Sequence, residues 1–269
     1  MSAPSTPAIQ PHLTAKPPLL ISLLDPPGRF LLMPFYFGAL EVRGREYFPR
    51  QGPVVVAVTH RSRWDALVVP YAIGYPITGR ILRFMVSADE MEGLQGWFIR
   101  NCGGFPVDTS RPSITSLRRG IELLQRGEVL VIFPEGNIMR ERQVQRLKPG
   151  LARMALQAQQ SLVDQAVQIV PMVIEYSQLM PQWRCQVQVK IGIPLNAGNY
   201  EAKSRKTAAA GLTADLKVAL EQLSTETIAT CESNQLSLGQ SVTLAAQLSQ
   251  ELNPMENPQH STSGASEMR

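Results

Sequence analysis

Five consecutive apolar residues, Val54 to Val58 (VVVAV), limit the possible folds of this chain more than any other feature. A strand wetted on one face alternates polar and apolar side chains, so an unbroken β-branched run demands cover on both faces, as in a parallel sheet clothed by helices. Similar short runs recur at Arg80 to Ser87 (RILRFMVS), Gly103 to Val107 (GGFPV), Val129 to Phe133 (VLVIF), Gln168 to Glu175 (QIVPMVIE) and Gln186 to Ile193 (QVQVKIGI). Helical patterns lie between them. Asp65 to Ile73 reads as a helix; Ile114, Leu117, Ile121 and Leu124 keep helical spacing up to Gly127; Leu151, Met154, Ala155 and Ala158 mark another. A closing helix over 207–230 carries Leu212, Leu216, Leu220 and Leu223 on one side. Strands alternating with helices predict an α/β fold with a central, mostly parallel sheet flanked by helices.

The ends of the chain read differently. Residues 1–18 are rich in Pro, Ser and Thr and predict a disordered arm, and residues 231–269 predict a mostly disordered tail. Between arm and core, residues 19–41 hold two apolar patches, Leu19 to Leu24 and Phe30 to Leu40, split by Asp25-Pro26-Pro27-Gly28-Arg29. Neither reaches the roughly 20 apolar residues that span a bilayer, and Pro34 interrupts the second. Two readings stand: an apolar helical segment docked in a membrane interface, or a helical hairpin buried on the core. The main domain is expected over 42–230. No cationic stretch precedes the first apolar residues, and five prolines up to Pro18 break the region, so no secretory signal is expected. Cys102, Cys185 and Cys231 form no C-x-x-C pair, which argues against a disulfide framework and for a reducing compartment. No cluster of His, Cys and carboxylates has metal-ligand spacing, so no metal or other cofactor is expected.

Residues 100–153 carry ten Lys or Arg against five Asp or Glu, an excess of +5, whereas residues 196–269 carry five against eight, or −3. A basic middle segment suits an anionic ligand or surface, or is simply a solvated face. Nucleic acid is not expected, because residues 108–128 interleave no aromatic side chain among their cations. The chemistry points to one histidine. His12 and His260 lie in the expected disordered ends, leaving His60 for a folded pocket, just past the run Val54 to Val58. Asp65 follows at the start of the next helix. On one continuous helix the two would diverge, but across a loop-to-helix turn the carboxylate can hold one imidazole nitrogen and leave the other as a general base. Phe133-Pro134-Glu135-Gly136 also directly follows a buried strand, where it serves equally as a strand-ending turn.

Together these residues resemble the glycerolipid acyltransferase superfamily. His60-Arg-Ser-Arg-Trp-Asp65 is similar to its H-x4-D motif and Phe133-Pro-Glu-Gly136 to its F-P-E-G motif. Gly104-Phe105-Pro106-Val107 resembles the G-x-F-x-x-R block, Val170-Pro171 the late V-P element, and Gly44 to Pro53 the lead-in strand, in the family's order over about residues 42–195. The nearest members are 1-acylglycerol-3-phosphate acyltransferases. That resemblance implies acyl transfer from a thioester of acyl carrier protein or coenzyme A to the free hydroxyl of a lysophospholipid, with His60 as base and Asp65 as its partner. It further implies substrate binding by Phe105, Glu135 and Gly136, with Arg140 and Lys148 supplying nearby charge. The block's usual arginine is replaced by Thr109. Arg111, two residues later, is either the phosphate ligand or a surface arginine. The expected enzyme is peripheral or monotopic on the cytoplasmic face of a membrane. Acylation of another glycerol phosphate or lysophospholipid acceptor, and a non-catalytic lipid-binding protein on the same scaffold, are the alternatives.

Overall fold

The structure, a computed structural model, describes residues 18–107, 114–200 and 204–225. The tail expected from residue 231, Arg111, and the expected arm apart from Pro18 therefore lie outside the described residues. Eight strands form one sheet among the described residues: β1 (Ala39–Arg43), β2 (Val54–Val58), β3 (Leu82–Ser87), β4 (Gly104–Val107), β5 (Val129–Ile132), β6 (Gln168–Tyr176), β7 (Gln186–Ile191) and β8 (Leu195–Asn196). Their order is β1-β7-β6-β2-β5-β3-β4, with β8 beside β6. The sheet is parallel throughout except that β7 and β8 run antiparallel to β6. The helices are α1 (Leu19–Pro27), α2 (Met33–Tyr36), α3 (Asp65–Ile73), α4 (Tyr75–Thr78), α5 (Gly93–Asn101), α6 (Ile114–Gln125), α7 (Gly150–Gln159) and α8, described over 205–225.

The buried run in β2 is covered on both faces, as its composition demands. Val54, Val56 and Val58 pack in one cluster with Val68, Val69, Ala72 and Ile73 of α3. Val55 and Ala57 point the other way, into a cluster built from α6, α7 and α8 that includes Leu124, Met154, Leu212, Leu216 and Leu220. Alternation at a period of two thus splits one strand between two helix layers. The sheet forms the middle layer.

Two regions depart from the expectation. β1 begins inside the second apolar patch and pairs in parallel with Gln186–Lys190 of β7. Gly44, at φ +78°, ends it in a conformation that glycine favours, and a Cβ there would run into the Ile191 carbonyl. The stretch that resembles a lead-in strand is thus a short 3-10 turn, Arg45–Tyr47, and a loop after β1, and the boundary expected between residues 41 and 42 falls within that strand.

The second departure is the N-terminal segment, where α1 runs through the prolines that were expected to split it. Pro26 and Pro27 cannot donate to carbonyls one turn back, and the next turn widens into a π-helix, Gly28–Leu32. Among residues 19–37 only Met33 and Phe37 are buried, whereas Leu19, Leu23, Phe30, Leu31 and Phe35 are exposed, so the segment is not a buried hairpin. Arg29 ties it to the core, donating to the Tyr71 carbonyl (2.8 Å) and the Pro70 carbonyl (3.2 Å) while pairing with Asp25 (3.2 Å). No helix among the described residues is long and apolar enough to cross a membrane.

Candidate active site

β2 and β5 lie side by side with Ala57 opposite Ile132, so the loops leaving their C-terminal ends emerge together. Open parallel sheets place their sites at such ends. One loop carries His60 and the other Glu135.

The turn from His60 into α3 is wound around a single carboxylate. Asp65 is fully buried, and its Oδ2 accepts the N–H of Arg61 (2.7 Å), the N–H of Ser62 (2.9 Å) and His60 Nδ1 (2.9 Å). Those two backbone N–H groups curl the chain back on Asp65, which is how a carboxylate five residues downstream reaches the imidazole. Oδ1 accepts the hydroxyl of Tyr176 on β6 (2.7 Å). Burial, reinforced by the Asp65 carboxylate, pushes the Tyr176 phenol far above its ordinary range, so it stays a donor. The Arg61 and Ser62 N–H groups and the Tyr176 hydroxyl already bring three donors to the two oxygens, so the carboxylate meets the imidazole as an acceptor; the tautomer that fits carries its proton at Nδ1 and presents the lone pair at Nε2. The His60 ring stacks on Phe133 at 4.1 Å between centroids, with its side chain one-fifth exposed (20%).

Glu135 is turned into the loop instead of outward. Its Oε2 accepts the His60 N–H (3.0 Å) and Arg61 Nη1 (2.8 Å), and its Oε1 accepts the Gln145 N–H (2.9 Å). Arg61 is buried with it and also donates to the Met139 carbonyl (3.3 Å), while its Nε has no hydrogen-bond partner among the described residues. The Met139 N–H returns a bond to the His60 carbonyl (2.8 Å), so the two motif loops are laced together. Gly136 follows at φ +81°, and a Cβ there would collide with Lys148 Cε and Nζ. Glycine thus lets the lysine side chain lie against the loop.

His60 opens onto a cavity of about 960 Å³, at the upper end of the range for small-molecule sites. Arg63, Phe133, Gly136 and Lys148 line it along with Ile21, Leu24, Leu32, Phe84, Ile99 and Met154, which make much of its wall apolar. Of the residues expected at the substrate, Gly136 and Lys148 therefore share a cavity with His60. Phe105 does not line it and packs, partly buried, against the α6–α7–α8 cluster. Arg140 is exposed on the loop and does not line it either. Sequence reasoning missed three residues. Arg61 and Arg63 stood inside the H-x4-D run, where their spacing from His60 could have singled them out; Tyr176, 111 residues from Asp65, carried no local signal.

The model of the Acyltransferase family matches residues 39–175, from the first residue of β1 to the penultimate residue of β6, and takes in both loops. The chain belongs to the Acyltransferase family. Among curated relatives, this acyltransferase is similar to a 1-acyl-sn-glycerol-3-phosphate acyltransferase of Bacillus subtilis, 26% identical over 187 residues that cover 69% of this chain and 88% of the relative. It is also similar to a protein of the same name from Streptococcus pneumoniae, 28% identical over 85 residues, 31% of each chain. Among solved structures, the 1-acyl-sn-glycerophosphate acyltransferase PlsC of Thermotoga maritima superposes with a TM-score of 0.58 at 17% identity, covering 78% of this chain and 80% of that one, which shows a shared fold.

Proposed function

We propose that this acyltransferase moves a fatty acyl group from an acyl carrier protein or coenzyme A thioester to the free hydroxyl of 1-acyl-sn-glycerol-3-phosphate, giving phosphatidate. The observation that carries the reading is the 2.9 Å His60–Asp65 bond, set in a cavity with largely apolar walls that Arg63 and Lys148 also line. The names of the two bacterial relatives support the acceptor.

In this reaction the Nε2 lone pair takes the hydroxyl proton as the oxygen attacks the thioester carbonyl, and Asp65 stabilises the imidazolium so formed. The tetrahedral adduct collapses, the carbon–sulfur bond breaks, and the thiolate recovers the proton from His60. No acyl-enzyme forms and no cofactor beyond the thioester takes part. Arg63 and Lys148 face the acceptor phosphate, while Glu135 acts by holding the His60 loop from below. Exposed Leu19, Leu23, Phe30, Leu31 and Phe35 dock the enzyme, as a peripheral or monotopic protein, on the cytoplasmic face of a membrane. The same segment lends Ile21, Leu24 and Leu32 to the cavity wall, which gives lipid a route from the interface to His60.

Thioester consumption by the purified protein, with each donor and a panel of lysophosphatidate, glycerol 3-phosphate and other lysophospholipids, tests this. Lysophosphatidate is expected to turn over with the highest kcat/KM; a higher value with another acceptor overturns the assignment.

A further inference from the structure

We propose that Tyr176 is a positioning residue of the acyl-transfer centre: its hydroxyl fixes the Asp65 carboxylate, and through it the His60 imidazole, in the reactive orientation. The inference rests on the acid–base reading above.

A carboxylate turns about its last side-chain torsion in a broad, two-fold well, so one anchored at a single oxygen is poorly oriented. Asp65 is anchored at both. Oδ2 is held by the Arg61 and Ser62 N–H groups of its own turn, which would move with it if the turn shifted. The bond to Oδ1 comes from outside that turn, from the end of the interior strand β6. Tyr176 is well placed to act as a fixed post. It is the last residue of β6, paired with Val187 of β7, its side chain is buried, and its ring lies 6.2 Å from that of Phe37.

A phenol that merely satisfies a buried oxygen would show the same 2.7 Å distance, so the test reads more than stability. Tyr176→Phe removes the hydroxyl and keeps the ring. The expected result with the full-length enzyme is a fall in kcat on the order of 10-fold, with KM for thioester and acceptor unchanged, because an unpaired buried acceptor reorganises the dyad without touching substrate. In an Asp65→Asn background the same substitution is expected to cost nothing further, since its effect runs through Asp65. Wild-type kcat in Tyr176→Phe, an effect confined to KM, or an equal loss in both backgrounds overturns the proposal. Full activity of Asp65→Asn overturns the acid–base reading itself, a separate failure. If Tyr176→Phe does not fold by circular dichroism, 3-fluorotyrosine at 176 keeps the shape and strengthens the donor; an altered kcat at constant KM supports the proposal, and an unaltered kcat overturns it.

Discussion

Replacing Glu135 with glutamine separates a carboxylate that touches substrate from one that builds the site. Three donors converge on its two oxygens at 2.8–3.0 Å: the His60 N–H, Arg61 Nη1 and the Gln145 N–H. An amide has one oxygen, so at least one of these donors meets an NH₂ group instead, and the Arg61 guanidinium, 6% exposed, loses its counter-charge. Breaking a buried ion pair from one side costs roughly 3–5 kcal/mol, which exceeds what an exposed pair is worth several-fold. At roughly 2–4 °C per kcal/mol for a domain of this size, Tm falls by on the order of 10 °C. Turnover falls as well, because the backbone of His60 loses its anchor. Adding Arg61→Met removes the stranded cation and is expected to restore most of the stability without the activity. Thermal unfolding followed by circular dichroism, beside steady-state kinetics, reads both. A Glu135→Gln protein with unchanged Tm and only a raised acceptor KM would refute the reasoning and return Glu135 to the substrate.

Three further outcomes follow from particular contacts. Gly136→Ala forces a left-handed alanine against Lys148 and is expected to cost about 1–2 kcal/mol in denaturant unfolding and to raise acceptor KM; unchanged KM would separate Lys148 from the phosphate. Burial holds the Glu175 carboxyl above its ordinary range despite the Ser224 hydroxyl and the cations Arg142, Arg61 and Lys190. The folded state therefore keeps its proton more tightly, and wild type should lose stability relative to Glu175→Gln as pH rises from the ordinary carboxylate range through the raised value; a pH-independent difference contradicts this. Combined replacement of exposed Phe30, Leu31 and Phe35 by serine is expected to reduce sedimentation with anionic vesicles severalfold, and unchanged sedimentation removes this segment from the membrane.

Much of this architecture is legible in the sequence, for physical reasons visible at particular residues. Val54–Val58 is a run of the kind a strand covered on both faces shows, and both motif loops follow such strands directly, so the fold class and the position of His60 and Asp65 emerge together. β1 is not legible, because Ala39 and Leu40 continue an apolar patch and the strand lies at the sheet edge, with neither face fully buried. The antiparallel course of β7 leaves no trace in its side-chain pattern, which would look the same in either direction. A carboxylate after a buried strand advertises a turn but not its donors, and so Glu135 was expected at the phosphate though it faces Arg61 and two backbone N–H groups. Phe105 shows the same limit: a motif places it along the chain, while the pleat of β4 decides which face it joins, here that of the α6–α7–α8 cluster. Tyr176 meets Asp65 only through the tertiary fold.

The most direct test of the account is the rate of phosphatidate formation by His60→Ala and wild type, measured by mass spectrometry with lysophosphatidate and an acyl thioester under saturating conditions. A general base contributes typically 10²- to 10⁴-fold, so a loss of about that size with an unchanged unfolding profile is the predicted result. A folded His60→Ala enzyme that forms phosphatidate at the wild-type rate would contradict it.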